Sequence, residues 1–434
     1  MDMYLQSNFT YEGVTERGHA GPTGEGSSLR GALSGPGKFT LNYYPINWDG
    51  ESNCKFWITG TAGPNTYRGG TELNHRQTTA SYNLGNIPKD WNRVILDKQG
   101  SLGWGNVTMV HPQTAIRITN PSSGTSDRID DTASVYLISG PPTGTTRLNL
   151  NPAAIDLSRI ELDGGVNETI AALYLDGAPQ PAGTYGAVGS AATNQSDWFR
   201  GTGILTVTPV ISVVSADNTA WGTTATWLPN QAPNATTLVT IDGETVTVDA
   251  AGAAARELRM TGGTLIVNTG TSLDTGRFLS VGNGAAVNVL GTGSLTVSGA
   301  GIVETLGTGL ISVSSTGTLD VGEIATSGLS VASGANMTVR TSLLVNSSLN
   351  LTGSTLTLGS AAEVRLRSGT LTDDNALSAA KLIVEGGALA LGGNNLTVTN
   401  TLTLTGSPLD MTDAALGDLT VNGATVRLEG GSSY

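Results

Sequence analysis

One cysteine, Cys54, occurs in 434 residues, so no disulfide can close within the chain. It lies beside Phe56 and Trp57 and reads as a small buried hydrophobe. Lysine is scarce too: Lys38, Lys55, Lys89, Lys98 and Lys381 are all there are, and the net charge is −13. Phosphate-backbone binding needs clustered cations, so a nucleic-acid partner is excluded. The acidic balance instead suits a solvated, exported surface. Only 13% of residues are charged, against about 25% in ordinary domains. No run of 18 apolar residues exists, so no membrane-spanning helix is expected. Met1 is followed by DMYLQSNFTYEG, with no basic start and no apolar core. No export signal is therefore visible, and an exported chain would have lost it.

Glycine is plentiful, at 59 residues, and Ser, Thr and Asn fill much of the remainder. From about residue 238 short apolar–polar–apolar triplets recur, among them Val246–Val248, Leu265–Val267, Val287–Val289, Leu295–Val297, Ile311–Val313 and Leu319–Val321. They continue through Val364–Leu366 and Leu396–Val398 to Val426–Leu428. The period of 2 marks strands with one buried face. Three short strands per turn of about 20–25 residues predict a parallel β-helix. Antiparallel hairpins in a sandwich are the alternative, but they would show longer strands and more two-residue turns. Asn268, Asn288, Asn336, Asn350 and Asn422 suit either asparagine ladders at coil corners or isolated turn positions.

The first half differs. It holds nearly all the Trp, of which Trp227 is the last, and all three His. Strand-like segments lie at Lys38–Tyr43, Phe56–Thr59, Val94–Leu96, Val107–Val110, Ala115–Thr119, Ser134–Ile138, Leu148–Leu150, Arg159–Leu162, Thr169–Leu175 and Gly203–Thr208. Loops are longer and contain proline. The expected fold is all-β: a parallel β-helix or solenoid in the C-terminal half, preceded by a β-rich N-terminal region. Three parts are expected: 1–60, an N-terminal β segment; 61–209, a repeat-bearing β region; and 210–434, the β-helix with a Trp-containing cap.

NTYRGGTELN (Asn65–Asn74) followed by LGWGNVTM (Leu102–Met109) resembles the autotransporter-associated β-strand repeat of exported bacterial passenger proteins. AALYLDGAPQPAGTYGAVGS (Ala171–Ser190) with WFRGTGILTV (Trp198–Val207) is similar to the end of such an array. WGTTATWLPNQAPNATTLVTIDGETVTVD (Trp221–Asp249) resembles the opening of a β-helical module common in large exported bacterial proteins. The resemblance implies an exported β-solenoid located outside the cell or at its surface. It is nearly silent on activity, because the repeats are scaffold. No C-terminal membrane barrel or sorting helix accompanies it. Within the motif, Gly69–Gly70 and Gly103 with Gly105 read as left-handed turn positions, with Tyr67 and Leu73 pointing into the coil. Trp221 and Trp227 read as a cap on an open hydrophobic end.

Catalytic chemistry is hard to find. Polysaccharide lyases and hydrolases need paired carboxylates, or carboxylates with a cationic or imidazole base. Residues 238–434 hold no His and one Lys, and Asp373–Asp374 sits in a loop. Arg365 and Arg367 alternate with Val364 and Leu366 and read as an outer face. His19, His75 and His111 have no metal-site spacing. RIDD (Arg128–Asp131) has neither the EF-hand nor the nonapeptide calcium pattern and reads as a polar loop. No catalytic, cofactor or metal site is expected.

Two binding features remain. Met3, Tyr4, Leu5, Phe9 and Tyr11 form an apolar–polar stretch that suits strand addition to a neighbouring subunit. Trp48, Trp57, Trp91 and Trp104 suit a sugar-stacking platform. The expected function is an extracellular structural protein, a subunit of a fibre, filament or matrix assembled through solenoid ends. The alternative is an adhesin or carbohydrate-binding passenger acting through the aromatic-rich half. Self-association and glycans are the expected partners.

Overall fold

Val, Leu and Ile at every second position give each strand one apolar face, and in the computed structural model those faces close around common interiors. The structure describes residues 3–4, 9–15, 27–35, 37–45, 55–59, 65–75, 93–97, 100–112, 114–120, 128–140, 156–299, 301–326, 328–405, 419–421 and 425–429. The chain divides into two units, Met1–Pro209 and Val210–Tyr434.

The second unit is a parallel β-solenoid with three arms per circuit. In one circuit the arms are Ser294–Val297, Ile302–Thr305 and Leu310–Val313. In others the first two arms are one bent strand, such as Ser272–Val281 or Asn336–Val345. Register fixes vertical columns. On the first arm Leu273, Leu295, Leu319 and Met337 are successive partners. On the second arm the column runs Val239, Leu258, Leu279, Val303, Ile324, Leu343, Val364, Leu382, Leu402. The residues of this second column are at most 1% exposed. Each contributes roughly 1.5–3 kcal/mol of burial, so the column is a continuous spine. Circuit length varies from 18 residues (Leu319 to Met337) to 24 (Leu295 to Leu319). The columns stay aligned because the corners absorb the difference.

Two corner types do this. Between the first and second arms a one-residue irregularity turns the strand, as between Val321 and Glu323. Between the third and first arms a four-residue turn closes through main-chain bonds: Thr271 N–H to Asn268 O (3.1 Å), Ala335 to Ala332 (3.1 Å) and Ser354 to Leu351 (2.9 Å). The third residue of these turns is left-handed, at φ 77 for Gly270, 86 for Gly334 and 73 for Gly353. In the turn Ser314–Gly317 that place is held by Thr316, at φ 68.

The solenoid opens on a partial circuit. Ser212–Ser215 lies parallel to Leu238–Ile241, and residues 219–221 hydrogen-bond to Thr247. Trp221 and Trp227 sit in its centre with Val213 and Val239, 3% and 0% exposed. Their rings meet edge to face at 5.2 Å, and Trp227 Nε1–H donates to Trp221 O at 2.9 Å. The two indoles fill a circuit too incomplete to fill itself.

The first unit is also built from parallel ladders, so the solenoid is not confined to the C-terminal half. One seven-stranded sheet holds six parallel strands, from Phe9–Thr15 through Phe39–Pro45, Thr71–His75, Val107–Met109 and Ser134–Leu137 to Ala172–Leu175, with Ala178–Pro179 added antiparallel at its end. A six-stranded sheet runs alongside, from Ser27–Leu29 through Lys55–Ile58, Arg93–Leu96, Ala115–Ile118 and Arg159–Leu162 to Phe199–Gly201. Both sheets cross residue 60 without a break. Thr169–Leu175, expected as one strand, is two, Asn167–Ile170 and Ala172–Leu175, with the corner at Ala171.

The motif halves are successive circuits. Thr71 pairs with Val107, and Tyr67 and Leu73 point inward at 0% exposure. Gly70 and Gly105 are left-handed (φ 82 and 107) as expected. Gly69 and Gly103 are not; they are needed for close approach. A Cβ on Gly103 would lie 2.4 Å from Tyr67 O, and one on Gly69 would lie 2.4 Å from Lys38 N. The buried Asn65 ties three circuits together. Its Oδ1 accepts from Leu33 N–H at 2.7 Å, its Nδ2 donates to Ser101 O at 2.6 Å, and its own N–H donates to Ser101 Oγ at 3.1 Å.

No asparagine ladder forms at the positions expected. In register, Asn288 lies between Ile266 and Ser312, Asn336 between Thr318 and Thr355, and Asn350 beside Thr372. Asn288 and Asn350 lie on third arms and Asn336 on a first arm, so they share no common column. Asn422 lies outside the described residues.

Two stability effects follow. Asn65→Ala takes the side-chain partner from buried Leu33 N–H and Ser101 O, and should lower the first unit's unfolding free energy by about 2–4 kcal/mol. Thr316→Asn relieves a β-branched residue held at positive φ, and should raise the second unit's stability by about 0.5–1 kcal/mol. Urea titration of each purified variant measures both.

Candidate functional surfaces

Stacking at one rung per circuit places side chains of successive circuits about 4.8 Å apart. Like charges in one column would repel, and the outer faces resolve this by pairing. Arg277 Nε donates to Glu257 Oε1 at 2.7 Å. Arg340 reaches Asp320 and also the main-chain oxygens of Gly299 (3.0 Å) and Val297, two circuits back. Glu363, Arg365, Lys381, Glu385 and Arg367 form one network with contacts of 2.9–3.2 Å. Asp274 accepts from Ser298 Oγ at 2.8 Å, and Glu304 from Ser280 Oγ at 3.1 Å. These groups hold circuits together and point at one another.

Among the described residues no three His, Cys, Asp or Glu side chains converge to hold a metal. His75 ends the strand Thr71–His75, His111 lies in a turn, and His19 is outside the described residues. RIDD is a turn: Asp130 Oδ1 accepts from Thr132 N–H (2.6 Å) and Oγ1–H (2.5 Å). Its Arg128 is 1% exposed, donates to Gly100 O at 3.0 Å, and its main-chain N–H donates to the buried Glu168 at 2.8 Å. Asp373 is buried in its corner, accepting from Asn375 N–H and Nδ2–H at 3.1 and 3.0 Å. Burial raises its carboxyl above the usual range.

On several circuits the outward side of the second arm is buried. Phe278, Ser280, Ile302, Glu304, Ala325 and Leu344 point away from the core column yet are 9% exposed or less. The Arg259 guanidinium lies 5.6 Å from the Phe278 ring.

Sequence-selected residues scatter. Trp57 is half-buried on Lys55–Ile58 in the six-stranded sheet. Trp104 is half-buried in the turn before Val107–Met109, in the other sheet. Trp48 and Trp91 lie outside the described residues, as does Cys54. Met3–Tyr4 pairs with Leu33–Gly35, and Phe9 and Tyr11 lie on Phe9–Thr15, paired with Phe39–Pro45. The N-terminal stretch is thus two strands within the chain's own sheets, not one free strand, and Leu5 is outside the described residues. Phe9–Thr15 is the edge of its sheet among the described residues.

An aromatic pair escaped the sequence reading. Tyr136 and Tyr174 are register partners on the outer face of the seven-stranded sheet, stacked at 4.5 Å with planes 10° apart. Two rungs away on the same face, Asn74 Nδ2 donates to Asn42 Oδ1 at 3.1 Å, and Lys38 pairs with Glu72 at 2.7 Å. Only register brings residues 136 and 174 together.

No family model, curated protein or solved structure matches this chain. No helix among the described residues is long and apolar enough to cross a membrane.

Tyr67 offers a pH readout of first-unit integrity. Burial pushes its phenol up to about 12, against the lesser effects of Gly103 and of Thr71, whose Oγ1 lies 2.5 Å from Tyr67 Oη. The folded state therefore favours the neutral phenol. Its contribution is full below pH 10, where the unfolded tyrosine is also neutral, and is lost between pH 10 and 12. The loss should reach about 3 kcal/mol. Comparing denaturation of the wild type and Tyr67→Phe across that window isolates the slope, which the variant should lack.

Proposed function

We propose that the chain is an extracellular structural protein, a subunit of a cell-surface fibre or matrix assembled through solenoid edges. The observation that carries this reading is the pair of edge strands. Among the described residues Phe9–Thr15 bonds only to Phe39–Pro45, while Leu419–Val421 and Thr425–Glu429 bond only to Leu396–Thr405. An unpaired parallel edge is a template for another strand. The saturated charge pairs and apolar columns support a role in which stability is the product. The three motif segments that resemble passenger repeats support export.

Edge polarity gives a specific test. Phe39 and Thr71 donate their N–H groups toward the following circuit, to Gly70 O and Asn106 O. By register with Phe39, Phe9, Tyr11 and Gly13 face Phe39–Pro45, while Thr10, Glu12 and Val14 turn their N–H groups to the open edge. Proline at Glu12 therefore removes an edge donor and leaves the internal ladder intact. The wild type should form filaments in negative-stain electron microscopy and sediment as concentration-dependent polymers. Glu12→Pro should stay monomeric with an unchanged circular dichroism spectrum. Monodisperse wild-type particles at all concentrations, or filaments undiminished by Glu12→Pro, would overturn the reading.

A further inference from the structure

We infer that the outer face of the seven-stranded sheet around Tyr136 is a binding shelf for a neutral polysaccharide. One outward column of this sheet reads Thr40, Glu72, Thr108, Tyr136, Tyr174 in register order. Tyr174 covers one face of the Tyr136 ring at 4.5 Å. The opposite face looks along the column toward Thr108, a short side chain one rung earlier. The next long side chain, Glu72, is a further rung away. Two rungs span about 10 Å, so Thr108 floors a gap with an aromatic wall at one end. Thr108, Tyr136, Tyr174 and Asn74 are all half-buried, so the gap opens to solvent.

The lining selects the ligand. Lys38 is paired with Glu72 at 2.7 Å, the column itself holds no cation, and Asp176, two residues beyond Tyr174, accepts from Ser139 N–H and Oγ, so the lining favours a neutral ligand over an anionic one. Asn74, two residues beyond Glu72 on the same face, donates its Nδ2 to Asn42 Oδ1 at 3.1 Å and adds an amide to this side of the sheet. An aromatic face beside amide and hydroxyl groups matches a sugar ring, which has apolar C–H faces and a rim of hydroxyls. A peptide strand cannot add here, because the main-chain groups of Val107–Met109 are engaged by strands on both sides. The rungs repeat along one direction, so a glycan chain would lie along the column, one residue stacked on Tyr136 and its neighbours over the flanking rungs. This shelf is independent of the assembly edges. It involves neither Trp57, on the other sheet, nor Trp104, in the turn before Val107–Met109.

The test is affinity electrophoresis of the full chain in native gels cast with neutral polysaccharides (a β-glucan, a xylan, a galactomannan) and with anionic alginate and pectate. Retardation is expected in at least one neutral gel. Tyr136→Ala should weaken it at least tenfold. Thr108→Gln, which fills the shelf from its floor and touches no core residue, should do the same and decides the matter if Tyr136→Ala does not fold. Trp57→Ala, on the other sheet, should bind as the wild type does. Both shelf variants should still form filaments, which separates failure of this inference from failure of the assembly reading. No retardation in any neutral gel, retardation in anionic gels alone, or undiminished retardation of Thr108→Gln overturns the proposal.

Discussion

A strand in a parallel sheet directs alternate main-chain groups to opposite sides, so every interior rung of a solenoid needs a partner both before and after it. This obligation governs both units. It fixes register before any side chain is considered, because a rung displaced along its neighbour would break a run of bonds at once. Once register is fixed, a side chain's environment is set by its position in the circuit. Leu279, Val303, Ile324 and Leu343 pack together because their main chains are paired, although 19 to 24 residues separate each from the next. The apolar column is the consequence of the ladder and its chief stabiliser.

The same obligation explains where irregularity is tolerated. Circuits differ in length, and the surplus residues must leave the ladder without disturbing it. They do so at corners, where a left-handed residue reverses the chain in a closed four-residue turn. Gly103 and Gly69 show the complementary constraint: where one circuit's main chain presses on the next, a Cβ has no room. Asn65 completes the set by supplying, from one side chain, partners for main-chain groups that the corner removed from the ladder.

How much of this was legible in the sequence depended on whether one strand face met water. Third-arm strands such as Thr264–Val267 and Ala286–Val289 alternate buried and half-buried residues, and their triplets stand out. Ile302–Thr305 is buried at every position, so it has no period to read. The second arms at Phe278, Ala325 and Leu344 were missed for the same reason. In the first unit the strands were visible as segments, but their parallel pairing was not. Long intervening loops hid the repeat, and residues such as Tyr136 and Tyr174 become neighbours only through register. The tryptophans stood out by rarity, and rarity says nothing about which sheet a residue joins: Trp57 lies in one sheet and Trp104 in the turn before a strand of the other. Gly70 and Gly105 were readable because a left-handed glycine belongs to local turn chemistry. Gly103 was misassigned because close approach depends on a different circuit.

Edges and faces are separate resources in such a fold, and this bears on how the two proposed roles coexist. Edge groups are main-chain donors and acceptors, indifferent to sequence, so they suit association between copies. Face groups are side chains repeated at the rung spacing, free to vary without disturbing the ladder, so they suit recognition of a periodic ligand. Polymerisation through edges would leave the shelf at Tyr136 untouched and would repeat it once per subunit. A weak single contact with a sugar then becomes many contacts on one fibre, and each later contact forms at the effective concentration set by subunit spacing. Under that arithmetic a shallow shelf, too weak to hold a glycan alone, is sufficient for a matrix. A deep pocket would demand side chains that the ladder has no room to enclose.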